Sequence, residues 1–298
     1  MASATLRWAV AVKRWEPHPE EWTFLLQLLP QEEVKQVETF KFVEDQKRAL
    51  ISRLLQRRCC QAVFGLRWDQ VVIKRTKGRK PYLATPLPNK QYAPNFNFNV
   101  SHEGDYVALA SEPLCLCGVD VAAPQQARAQ RPAGFAALQK SYQRQLTLGE
   151  WATVRSLGPD EAAMDDMFRC IWSLKEAFVK ARGDGLGFDL GRSEFTFPQG
   201  PKGSTAAVAV DGQPQSRWHF VIQQLGSAHW VSVARGPPDN AVDAYGEFTG
   251  TFHRPTLSDA EIQEALLAPA PPFMMLGVVD LVPEGLRDAY EAAGGDML

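Results

Sequence analysis

Apolar and polar positions change period several times along the chain, and the expected elements follow from those changes. Leu6 to Val12 is a short, mostly apolar run that predicts a first strand. Trp22, Leu25, Leu26 and Leu29 then recur at helical spacing until Pro30 ends the pattern. A longer helix is expected from Glu44 to Phe64, where Leu50, Ile51, Leu54, Leu55, Cys59, Ala62 and Val63 form one stripe and Gly65 stands ready to close it. Gln70 to Lys74, Phe96 to Val100, Tyr106 to Ala110 and Leu114 to Val121 are short, turn-bounded and mostly alternating, which predicts an antiparallel meander.

The second half repeats this order. Ala122 to Gly134, rich in Ala, Gln, Arg and Pro, reads as a connection, and Thr147-Leu148-Gly149-Glu150 as a capping box opening a helix. A helix over Met164 to Arg182 follows, with Gly183 near its end. Ser193 to Phe197, Ala206 to Val210, Trp218 to Gln223 and Trp230 to Ala234 then predict strands. Helices followed by antiparallel strands in each half make the expected class α+β. From Gly236 prolines and alanines accumulate, and helical patches around Asp259 to Leu267 and Gly285 to Ala292 lack a shared apolar face. The expected division is therefore 1–122, 123–235 and a peripheral Pro/Ala-rich extension, 236–298.

Charge narrows the function classes. Thirty-two basic residues against thirty-four acidic ones leave a net charge of -2, so no global attraction to nucleic acid or membrane is expected. Five scattered cysteines do not look like a disulfide framework and point to a reducing, cytoplasmic setting. No apolar run is long enough to span a bilayer.

Local patterns carry the chemistry. Lys74-Arg75-Thr76-Lys77-Gly78-Arg79-Lys80-Pro81 packs cations around a glycine, either as a solvated basic turn or as a phosphate-holding loop. In Asn95 to His102 the polar and apolar positions alternate, putting Asn97 and Asn99 on one face and Ser101-His102 at the strand end. There His102 is expected to act as a hydrogen-bond donor or cation toward a phosphate. Asp120 ends a strand. Glu176 and Lys180, four apart on a helix, would ordinarily be a surface ion pair. Phe168, Ile171, Trp172, Leu174, Phe178 and Val179 surround them, however, so the charges are expected to line a cleft. Two carboxylates, an ammonium and an imidazole together could hold a divalent cation and an anionic substrate. The Gly183-Asp184-Gly185-Leu186-Gly187 run follows a helix, not a strand, and reads as a helix stop and turn.

With Phe96 to His102, Gly118-Val119-Asp120-Val121, Trp172 to Lys180, Gly185-Leu186-Gly187 and Lys80-Pro81 in this order, the chain resembles the 4'-phosphopantetheinyl transferases of the larger, two-lobed, surfactin-synthetase-activating type, animal and fungal members most of all. The resemblance runs from about Arg7-Trp8 to Ala234. It implies two similar lobes, each with helices packed on a small antiparallel sheet, related by a pseudo-twofold axis with the active site between them. It also implies transfer of phosphopantetheine from coenzyme A to a serine of an apo acyl or peptidyl carrier protein, as in fatty acid or polyketide biosynthesis. Adenosine 3',5'-bisphosphate would leave, and Mg2+ would be required.

Residue by residue, the resemblance gives Arg75, Thr76, Lys77, Gly78, Arg79 and Lys80 to the nucleotide and its 3'-phosphate. Asn99, Val100, Ser101 and His102 fall to the phosphates, Lys180 to the pyrophosphate, and Asp120 and Glu176 to Mg2+. Glu176 is the expected base, with Lys180 and His102 beside it in the catalytic set. Ala122 stands where many members, especially bacterial ones, carry a second acidic residue; Glu103 or a water would supply that ligand. Gln36 stands where a basic residue is expected. The protein is expected to act as a monomer, without nucleic acid or membrane. Two alternatives remain: a non-catalytic coenzyme A or carrier-protein binding module of the same fold, and an RNA-binding protein using Lys74 to Lys80.

Overall fold

The computed structural model describes residues 4–87, 91–124, 134–200 and 204–297. Strand β1 (Arg7–Ala11) is followed by α1 (Pro19–Gln27), α2 (Gln31–Glu38) and α3 (Val43–Phe64). Helix α2 has no counterpart in the sequence reading; Pro30 ends one helix and immediately precedes the next. Helix α3 closes on Gly65, whose φ of 64° is the left-handed conformation that glycine adopts without penalty. A short hairpin, β2 (Ile73–Arg75) and β3 (Pro81–Leu83), carries the basic loop.

Strands β4 (Asn97–Glu103) and β5 (Tyr106–Glu112) pair antiparallel as expected, but β6 (Leu116–Ala122) does not continue the meander. It pairs instead with β11 (His229–Gly236), although it lies on the N-terminal side of the expected division. After α4 (Phe135–Ser141), α5 (Leu148–Arg155) and α6 (Glu161–Arg182) come β7 (Ser193–Thr196), β8 (Thr205–Val210), β9 (Gln213–Pro214) and β10 (His219–Leu225). The Thr147–Glu150 capping box opens α5, while most of the expected connection over Ala122 to Gly134 lies outside the described residues. The second sheet has the order β6-β11-β10-β8-β7, with β9 paired on β8.

The tail is part of the core, which corrects its reading as a peripheral extension. Helix α7 (Asp259–Leu267) buries Ile262 and Leu266. Strand β12 (Met274–Leu276) then adds to β1 in parallel, completing the first sheet as β12-β1-β5-β4. Leu281, Val282 and Tyr290 of α8 (Arg287–Ala292) sit in the same apolar cluster as α3. The tail's apolar residues are separated by prolines and turns. They find their partners only in three dimensions, so no single periodic face betrays them.

The two sheets meet in three ways. Ala9, Ala108 and Ala110 pack against Val119, Val121, Val231 and Val233, small residues against larger ones. Beside this contact, side chains of β4 replace backbone pairing along the free edge of β6. Asn97, Asn99, Ser101 and Glu103 accept hydrogen bonds from the N–H groups of Cys117, Val119, Val121 and Ala123, at 2.8, 3.0, 3.2 and 2.6 Å. The strand period of two, present in both segments, makes this ladder possible and satisfies edge groups that would otherwise be orphaned. A buried cluster of Arg7, Glu112 and Arg235 adds a third tie, and Arg235 also donates to the carbonyls of Ala265 and Leu266 in α7.

Candidate active site

Gly118 is the residue that brings the site together. A Cβ there would stand 2.1 Å from the carbonyl oxygen of Ala177 and 2.4 Å from the nitrogen of Ala181, so only glycine lets β6 lie directly on α6. That approach places Asp120 against Lys180, whose Nζ lies 2.5 Å from Asp120 Oδ1. Ser101 joins them from β4: its hydroxyl donates to Asp120 Oδ1 at 2.9 Å and accepts from Lys180 Nζ at 3.0 Å. Glu176, one turn before Lys180, has its carboxyl raised from the ordinary range, first by burial and then by the negative charge of Asp120, with Lys180 opposing.

Glu176 and Lys180 line a cleft of about 690 Å³, with Asp120 and Ser101 buried behind them; its other walls are the basic loop, Asn99 and Val100, and the Gly183–Leu190 segment. Gly78 at the loop tip rests on the backbone of Gly183, where a Cβ would meet the carbonyl oxygen at 2.1 Å. The sequence reading of Gly183 as a helix stop holds, with φ at 94°, and the same residue forms the cleft floor.

The structure divides the basic loop. Arg75, Lys77 and Arg79 are exposed, while Thr76 and Lys80 turn inward. Thr76 Oγ1 accepts from the Lys80 N–H and holds the turn, in which Arg79 takes a φ of 67°. Lys80 Nζ donates to the carbonyls of Cys117 and Lys180 at 2.8 and 3.0 Å, and burial presses its pKa down to about 8. It staples the loop to β6 and α6.

His102 keeps an accessible edge, yet the packed protein around its ring and then the positive charges of Lys180, Arg48 and Arg53 lower its pKa to about 4. Those two arginines, both on α3, went unremarked in the sequence. Arg48 donates to the Gly104 carbonyl at 2.9 Å, and Arg53 to Gln36 Oε1 at 2.9 Å, which puts a guanidinium beside the position where a basic residue was expected. Their signal was the repeated arginines of α3, Arg48, Arg53, Arg57 and Arg58, which a reading by the apolar stripe alone passes over. Glu103 Oε2 accepts from the N–H of Ala123, the residue after Ala122, at 2.6 Å. Among the described residues, no three His, Cys, Asp or Glu side chains are grouped closely enough to hold a metal ion by themselves. A second cleft, about 710 Å³, lies on the other side of Arg75 and is lined by Glu32, Glu33, Arg53 and Arg57; it contains none of Asp120, Glu176 and Lys180.

Comparison with known families assigns the class. Residues 13–114 match the family described as 4'-phosphopantetheinyl transferase, N-terminal, and residues 116–234 the 4'-phosphopantetheinyl transferase superfamily. The chain belongs to this family and is a phosphopantetheinyl transferase by class. It is 36% identical over 242 residues to the L-aminoadipate-semialdehyde dehydrogenase-phosphopantetheinyl transferase of Rattus norvegicus, covering 79% of this chain and 76% of the relative. It is likewise 36% identical to the protein of that name from Xenopus laevis, covering 79% and 78%. A phosphopantetheinyl transferase of Thraustochytrium sp. is 34% identical over 78% of each chain. The boundary between the two matched segments falls just before β6, where hydrogen bonding also changes sheets. No helix among the described residues is long and apolar enough to cross a membrane.

Proposed function

We propose that this chain transfers the 4'-phosphopantetheine arm of coenzyme A to a serine of an apo carrier protein, releasing adenosine 3',5'-bisphosphate, with Mg2+ as cofactor. The observation that carries this reading is that Glu176 and Lys180, the latter held by buried Asp120 and Ser101, line a cleft whose other wall is the basic loop. The serine oxygen forms a bond to the phosphorus that bears pantetheine, and the bond from that phosphorus to the oxygen of the adenosine bisphosphate breaks. The serine proton passes to Glu176. Its raised pKa makes this carboxylate a better acceptor than an exposed glutamate, and Lys180 supplies positive charge for the leaving pyrophosphate oxygen.

The residues fit a divalent cation. Asp120 and Glu176 are close enough to influence each other's charge, and the ammonium of Lys180 now balances Asp120. Mg2+ typically takes one or two carboxylates and completes its shell with phosphate oxygens and water, a set this site can provide. Bound there, it would neutralise developing charge on the phosphates. To serve as a third carboxylate Glu103 would have to leave its bond to Ala123 and move toward Asp120 and Glu176; water is the alternative. His102, neutral at physiological pH, offers a ring N–H to a phosphate oxygen. Arg75, Lys77 and Arg79 are assigned to the nucleotide end.

Two lobes, one backed by α3 and the other by α6, fit the same reading, since both helices have 22 residues and both end at a glycine with positive φ. The five buried thiols suit a cytoplasmic protein. The decisive experiment is intact-mass analysis of an apo acyl carrier protein incubated with this protein, coenzyme A and Mg2+. A gain of one phosphopantetheine is expected. An unmodified carrier beside tightly bound coenzyme A would instead indicate a non-catalytic binding module.

A further inference from the structure

The matched family segments end at residue 234, yet the chain beyond them returns to the cleft. Val242 donates its N–H to the Arg182 carbonyl at 2.8 Å, and its own carbonyl oxygen would stand 3.0 Å from a Cβ on Gly183. The loop tip at Gly78, the end of α6 and the tail thus meet backbone on backbone. Val242 and Ala244 line the cleft. Asp243 turns away from it, its Oδ2 accepting from the N–H groups of Phe248 and Thr249 at 2.8 and 2.9 Å, which fixes the segment and keeps a carboxylate off an anionic ligand. Phe248, 1% exposed, lies under the Lys80 ammonium and against Tyr82, anchoring the segment to the hairpin.

Tyr245 is what this construction presents to solvent. Its side chain is 69% exposed, and the ammonium of Lys77 stands 5.8 Å from its ring centre. An accessible ring beside a cation, next to a cleft wall, suits a ligand that joins an aromatic base to phosphates. We infer that residues 242–245 form a wall of the donor cleft and that Tyr245 stacks on the purine of the coenzyme A nucleotide. This inference rests on the donor assignment above.

The test is calorimetric titration of the full chain with coenzyme A, adenosine 3',5'-bisphosphate and, separately, inorganic pyrophosphate. Tyr245→Ala should weaken the bisphosphate roughly 5- to 150-fold, the range of one lost base–aromatic stack, and Tyr245→Trp should restore it. Pyrophosphate, which has no base, should bind both proteins alike. Being exposed, the position tolerates these changes without loss of fold. Bisphosphate affinity within about twofold of the unsubstituted protein overturns the stacking contact, and so does an equal loss for pyrophosphate, which would place the effect in Lys77. An unsubstituted protein that binds neither coenzyme A nor the bisphosphate overturns the donor assignment, and the contact with it.

Discussion

Tyr290→Ala tests whether the tail belongs to the folded core. Tyr290 is fully buried, its hydroxyl donates to Glu21 Oε1 at 2.7 Å, and its ring lies 5.8 Å from that of Phe24. Gly295 folds over it so closely that a Cβ would stand 2.3 Å from the ring. Removing a buried aromatic side chain costs about 3–5 kcal/mol through lost transfer energy and a residual cavity. For a chain of 298 residues each kcal/mol lowers the melting temperature by about 1.5–2 °C, so a fall of roughly 5–10 °C is expected. Tyr290→Phe removes only the bond to Glu21 and should cost about 1–3 kcal/mol. Thermal unfolding followed by circular dichroism, with urea titration as a second measure, reads both. Deletion after residue 240 removes this ring together with β12, Ile262, Leu266, Leu281 and Val282, and should leave no cooperatively folded protein. A Tyr290→Ala protein melting within about 2 °C of the unsubstituted one would refute the reasoning.

Four further outcomes are expected. Glu176→Gln should lower turnover by about 100-fold or more while leaving coenzyme A affinity nearly unchanged, as measured by carrier-modification kinetics and direct titration. Arg75→Ala should weaken coenzyme A by about tenfold and dephospho-coenzyme A much less; equal losses would take Arg75 away from the 3'-phosphate. Glu103→Ala should raise the Mg2+ concentration for half-maximal activity, and an unchanged dependence would give that place to water. Lys80 has a folded pKa of about 8 against an ordinary 10.5, so between those values the unfolded chain holds more protons and stability rises with pH. Below pH 8 the cost of burying the charge is present in full. Relative to Lys80→Met, the unsubstituted protein should therefore gain about 2–3 kcal/mol across that window, and a flat difference in urea titrations would contradict it.

Much of this protein is local and was readable as such. Helix α3 and α6 follow from apolar spacing and a terminal glycine, α5 from its capping box, and β4 and β5 from alternation, because each depends on neighbours within a few residues. The motif residues were also visible, since carboxylates, lysines and glycines keep their chemistry wherever the chain carries them. Their employment was not visible. Lys80 and Thr76 sit in the same basic run as Arg75, but packing turns them inward. Asn97 and Asn99 were placed on one face by period alone, and only the approach of β6 revealed that face as a ladder across two sheets. The same holds for Gly118, whose necessity lies in two alanines of α6 some sixty residues away, and for the tail, whose scattered apolar residues gain a common face only when β1, α1 and α3 supply the other side. Periodicity records which side of an element is apolar; the partner that covers it is fixed by long-range packing, and at this site that packing decides which charges meet.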